Sequence, residues 1–137
     1  MAAVTATVQY LCHALLFLTA TPHRQEETRL IEAMKAYHRG TSGFDHSYWD
    51  FYFGYGLLAI LYGTVEVALL FVLAALAKSN SFRLRPSIAV FIAANMLHAV
   101  LILNYFFLLP ATFDLVVSLL LVAAFFAAKS GKAAPTL

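Results

Sequence analysis

A few side chains capable of chemistry stand inside otherwise apolar stretches of this sequence: Gln9 and His13, then Glu66, then Asn95 and His98. Ionisable groups at membrane depth are costly and mark places where they are paired or used. Gln9 and His13 are four residues apart, and Asn95 and His98 three, so on helices each pair shares a face. Stepping back from Glu66 by threes and fours passes Gly63, Ala59, Gly56 and Tyr52. Small residues let a neighbouring helix approach closely, so Glu66 is predicted to point into a helix interface and not at lipid. The expected picture is one polar cluster of His13, Glu66, Asn95 and His98, with Gln9 at its edge.

Such a cluster supports three chemistries. It can be structural, with polar side chains bonding across helices at about 0.6–2 kcal/mol each. It can be a metal or redox centre, since two imidazoles and a carboxylate suit zinc, iron or manganese. No His-x-x-x-His or Glu-x-x-His spacing occurs, however, and the ligands would come from three separate helices. It can also be a pocket for a small lipophilic ligand or a proton-coupled substrate, walled by Tyr48, Trp49, Tyr52, Tyr55, Tyr62 and Tyr105. No motif names a cofactor.

A second polar group is Asp50, Asn104 and Asp114. Ser47-x-x-Asp50 has capping-box spacing. Asp114 follows Pro110 and falls in the expected first turn of a helix, where the dipole favours an anion. If both also face inward, they line the mouth of a cavity above the first cluster. The candidate ligand-binding residues are therefore Glu66, His13, His98, Asn95, Tyr52, Asp50 and Asp114.

These residues need elements to position them, and a spanning helix takes about 20 mostly apolar residues. Spans are predicted over about 3–20, 48–77, 86–108 and 111–128, in a single transmembrane domain over 1–137. The first has no basic n-region, and a cut after Ala20 would put Leu18 where a small residue is needed, so it reads as a retained span. Pro86 opens the third span, and Leu109-Pro110 reads as a tight turn. If the spans run so, Glu66 and Asn95 both lie about 14–17 Å from one end, near the midplane. In the loop over 21–47, Leu30, Ile31, Met34 and Tyr37 recur at helical spacing opposite Arg24, Glu26, Glu27, Arg29, Glu32 and Lys35. This predicts a short amphipathic helix on the membrane surface, begun by Thr21-Pro22 and ended by Gly40 and Gly43.

Composition agrees. The chain has 137 residues, 62% hydrophobic and only 12% charged, too little polar surface to cover a fold in water. Its formal charge of +2 is scattered, which argues against nucleic acid as a partner. The one cysteine, Cys12, rules out an intrachain disulfide and a Cys-x-x-Cys metal site. An even number of spans puts both termini on one side. That side carries Lys78, Arg83, Arg85, Lys129 and Lys132; the other carries Arg24, Arg29, Lys35 and Arg39. The positive-inside rule then predicts cytoplasmic termini.

The segment Ser47-Tyr48-Trp49-Asp50-Phe51-Tyr52-Phe53-Gly54-Tyr55-Gly56-Leu57 resembles the signature of a group of short four-helix bacterial membrane proteins with no assigned activity. The resemblance implies the four-span layout and a bacterial inner membrane, and nothing about mechanism. The expected fold is an all-α, integral membrane four-helix bundle with one amphipathic connecting helix. The expected function is binding of a small lipophilic ligand in a polar intramembrane pocket. The alternatives are an accessory or structural subunit with a membrane-protein partner, and a membrane metalloenzyme or redox protein.

Overall fold

A computed structural model describes residues 1–41 and 44–128. Among these are five α-helices: α1 (Ala2–Thr19), α2 (Gln25–Ala36), α3 (Tyr48–Asn80), α4 (Arg85–Tyr105) and α5 (Leu108–Ala127). A small hairpin of β1 (His38–Thr41) and β2 (Phe44–Ser47) stands between α2 and α3. The fold is all-α, and α1, α3, α4 and α5 are each long and apolar enough to cross a membrane. The predicted basic tail from Lys129 to Leu137, and Gly43, lie outside the described residues.

Helix ends follow local chemistry. Ser47 and Asp50 close a capping box at the head of α3. The Ser47 N–H donates to Asp50 Oδ2 at 2.8 Å, and the Asp50 N–H donates to Ser47 Oγ at 3.2 Å. With 33 residues, α3 is about 50 Å long, well beyond one hydrocarbon thickness. Pro86 sits in the first turn of α4 as predicted, where its missing N–H costs nothing.

Two boundaries depart from the sequence expectation. First, α5 begins at Leu108, and the turn is Phe106-Phe107. Pro110 is therefore the third helical residue, still among the first-turn positions whose N–H groups have no intrahelical partner. That moves Asp114 out of the first turn and into the helix interior. Second, Thr21-Pro22 does not start α2 and Gly40 does not end it. The helix runs only over Gln25–Ala36, and Glu27 accepts the His23 N–H at 2.7 Å. After Tyr37 the chain turns extended, pairing His38 with Ser47 and Gly40 with Asp45. The Tyr48 N–H donates to the Tyr37 carbonyl at 3.1 Å and continues that pairing.

The chain forms two compact units, Met1–Tyr10 with Thr64–Leu137, and Leu11–Gly63. In the first, segments of α1 and α3 pack with α4 and α5 around Ala3, Ala6, Leu70, Ile88, Val117 and Leu121. The buried positions recur at helical spacing: Ala3, Ala6 and Gln9 on α1, Ile88, Asn95 and Ala99 on α4, and Ala111, Asp114, Val117, Ser118 and Leu121 on α5. The polar residues thus share the faces of the apolar core. Alanines at several contacts let the helices come close, as membrane bundles require.

In the second unit the ring of Phe17 lies directly on Gly56, leaving no room for a methyl group there. Phe17 also stacks on Phe53 and tilts against Tyr52, with centroids 5.4 and 6.1 Å away. Trp49 packs on Tyr52 at 5.5 Å, and Lys35 Nζ stands 5.3 Å from the Trp49 ring. No residue of α2 is buried.

Candidate functional site

The first unit holds two carboxyl groups, each gripped from two sides. Glu66 comes from α3. Tyr10 of α1 donates its hydroxyl to Glu66 Oε2 at 2.7 Å, and Asn95 of α4 donates Nδ2 to Glu66 Oε1 at 2.7 Å. The Asn95 amide also donates to the Phe91 carbonyl one turn back, at 3.0 Å, which fixes its orientation.

Asp114 comes from α5 and is 1% exposed. Gln9 of α1 donates Nε2 to Asp114 Oδ1 at 2.7 Å and reaches the Pro110 carbonyl at 3.5 Å. His98 of α4 places Nδ1 3.0 Å from Asp114 Oδ2. That contact has the distance of an ion pair without the alignment of a hydrogen bond, so both atoms are buried yet short of a well-directed partner. Ser118 Oγ, one turn beyond Asp114 on the same face of α5, is also buried without a partner.

Adjacent residues of α1, Gln9 and Tyr10, serve different acids, and so do Asn95 and His98, one turn apart on α4. Each acid therefore ties its own helix to both α1 and α4. Chemically, the arrangement offers two carboxyl groups as acceptors, with a phenol, an imidazole and two amides as donors. It can hold a proton or a donor-bearing ligand at membrane depth.

Of the residues named from the sequence, Glu66, Asn95, His98 and Asp114 come together in this unit. Asp114 belongs with the interior group and not with a helix cap. His13, Tyr52 and Asp50 belong to the second unit, where the His13 ring stacks on Phe17 at 6.0 Å. Asp50 is bound in its capping box and, with Phe51, Gly54, Tyr55 and Leu58, lines an open groove of about 340 Å³. Asn104 bonds back to the Val100 carbonyl at 2.7 Å and is exposed. Tyr10 and Ser118 were not named. Ser118 carries a readable signal, standing four residues after Asp114; Tyr10 only borders Gln9.

In the first unit an apolar groove of about 280 Å³ runs between α4 and α5, lined by Ala89, Ile92, Ala93, Val122, Phe125 and Phe126. Beyond its far end Arg85 donates Nε to the Phe125 carbonyl at 3.0 Å, its guanidinium 4.8 Å from the Phe125 ring centroid. Among the described residues, no three His, Cys, Asp or Glu side chains converge as a metal would require. No protein family, curated protein or solved structure matches the chain.

Proposed function

We propose that this is a small integral membrane protein of the bacterial inner membrane, akin to the short four-helix group it resembles. Its termini are cytoplasmic, and it holds a small lipophilic ligand at the polar centre of its first unit. One observation carries this reading: two carboxyl groups occupy core faces of that unit, each supplied with donors by two other helices. Asp114 is buried and Glu66 partly so, and keeping acids there is expensive even when they are paired. A bundle that only needed cohesion could use apolar packing instead. Glu66 is the central acid, Asn95 orients it, and His98 and Asp114 form the second half of the site.

Native mass spectrometry of the protein in a mild detergent tests this. A bound lipophilic mass that vanishes in Glu66→Gln, while the variant stays folded, is the expected result. A bare chain of 15.1 kDa in the wild type would overturn it.

A second reading has support of its own. Three of the four carboxyl oxygens already accept hydrogen bonds from the same chain, which suits helix cohesion in an accessory subunit of a larger membrane complex. In that case the wild-type protein is recovered with a protein partner, and Glu66→Gln alters stability without removing any small molecule.

A further inference from the structure

Three buried polar atoms of the first unit lack well-directed hydrogen bonds: Asp114 Oδ2 and His98 Nδ1, 3.0 Å apart, and Ser118 Oγ, one turn along α5 from Asp114. Asp114 and Ser118 are 1% and 3% exposed, whereas the His98 side chain is 41% exposed. The acid and hydroxyl are thus buried in the core, and the imidazole stands partly exposed at its edge. Asp114 and Ser118 are acceptors on one helix face, and an acceptor pair with one negative charge fits a cation that carries N–H groups.

The apolar groove between α4 and α5 begins close by. On α5, Val122 lies one turn beyond Ser118 on the same face, so the groove's near end is about 6 Å along that helix. Charge orients an occupant of that seam. The carboxylate stands at one end and the Arg85 guanidinium beyond the other, so a positive head belongs beside Asp114 and an apolar tail toward Phe125.

Building on the ligand-site reading above, we infer that the site takes a lipophilic primary or secondary amine in its ammonium form, in exchange for the proton on His98. The charges balance. Before binding, Asp114 carboxylate pairs with His98 imidazolium. The ligand ammonium takes the place beside Asp114 Oδ2 and donates to Ser118 Oγ. His98 gives up its Nδ1 proton, which ends on the buffer, and the neutral imidazole leaves the place beside Asp114 Oδ2. No bond other than N–H is broken, and one positive charge replaces another. The other titratable groups facing the pair are Tyr10 from α1 and Glu66 from α3, with Gln9 and Asn95 as neutral donors. Tyr10 and Glu66 are bonded to each other and remain so.

The test uses octylammonium as probe and octanol as neutral control, with the full-length protein in nanodiscs of a zwitterionic phospholipid. Titration calorimetry in two buffers of different ionisation enthalpy counts the protons released. Octylammonium should bind saturably, octanol should not, and one proton should leave per amine bound. Affinity should rise with pH while His98 is protonated, level off once it is neutral, and fall as the amine itself titrates near pH ~10. His98→Ala should abolish proton release and flatten that pH dependence. Ser118→Ala, which leaves both charges in place, should weaken binding about tenfold. Asp114→Asn should remove saturable binding, and Ser118→Ala decides the matter if that variant does not fold. Absence of saturable binding to folded wild type, equal binding of octanol, or binding without proton release each overturns the inference. The ligand-site reading fails separately. A neutral or anionic molecule lost with Glu66→Gln keeps that reading and sinks the amine, whereas amine binding without any Glu66-dependent mass does the reverse.

Discussion

At the scale of residues, Tyr10 and Glu66 form the contact on which most can be tested. Removing the Tyr10 hydroxyl leaves one carboxylate oxygen of Glu66 without its donor. Tyr10→Phe is expected to cost about 1 kcal/mol, and a double-mutant cycle with Glu66→Gln should return a coupling of about 0.6–2 kcal/mol. Reversible unfolding in mixed micelles measures both, and a coupling near zero would remove this contact from the account. Replacing Asn95 by Leu leaves the other oxygen bare and should be worse than Asn95→Asp, whose carboxyl can still share a proton with Glu66. Glu66 and Asn95 were legible from sequence because a charge or amide in a long apolar run has no bland explanation. Tyr10 was not, because tyrosine in a membrane span reads equally well as an amphipathic wall. Which face α1 turns toward α3 depends on packing that one sequence does not encode visibly.

At the scale of elements, two glycines only two residues apart on α3 give opposite predictions. At Gly56 the Phe17 ring occupies the space a side chain needs, whereas nothing lies within 4 Å of where a Cβ at Gly54 would be. Gly56→Ala should therefore destabilise the second unit by about 1–3 kcal/mol, the usual cost of overpacking. Phe17→Ala in the same chain should return part of it. Gly54→Ala should be neutral or stabilising by up to about 1 kcal/mol, since alanine is the better helix former. Thermal unfolding followed by the Trp49 fluorescence would separate the two. Span positions were readable to within a few residues because their apolar length is a strong signal. The start of α5 was misread because proline looked like a break, although a first-turn proline costs a helix almost nothing. The hairpin over 38–47 was invisible for a different reason. His38, Arg39, Gly40, Asp45 and His46 show none of the apolar alternation that marks a strand.

For the molecule as a whole, the spans follow from hydrophobicity, and the long-range pairing within the first unit does not. From the sequence, Asp114 reads either as a first-turn anion or as a residue at a cavity mouth, because only its position along its own helix is visible there. Its actual partners, Gln9 and His98, come from two other helices. A chain with Gln9→Leu and Asp114→Leu together replaces a buried polar pair by apolar packing. It should unfold no more readily than either single change, and by up to several kcal/mol less readily than Asp114→Leu alone, which leaves the Gln9 amide unpaired. Denaturation midpoints of the three variants decide it. Equal destabilisation by Asp114→Leu and by the double change would mean that Gln9 and Asp114 do not depend on one another.

The bond between Gln9 and Asp114 joins residues 105 positions apart. During synthesis α1 enters the bilayer long before α5 exists, with the amide of Gln9 and the phenol of Tyr10 still waiting for acceptors. The phenol finds Glu66 once α3 is made, but the Gln9 amide must be shielded by the insertion machinery, or by lipid headgroups, until the last span arrives. A nascent chain stopped after Tyr105 would expose an unmet polar face within the membrane, a ready recognition mark for a quality-control protease. Pulse-chase of such a truncation should show a much shorter lifetime than the full chain, and Gln9→Leu should lengthen it.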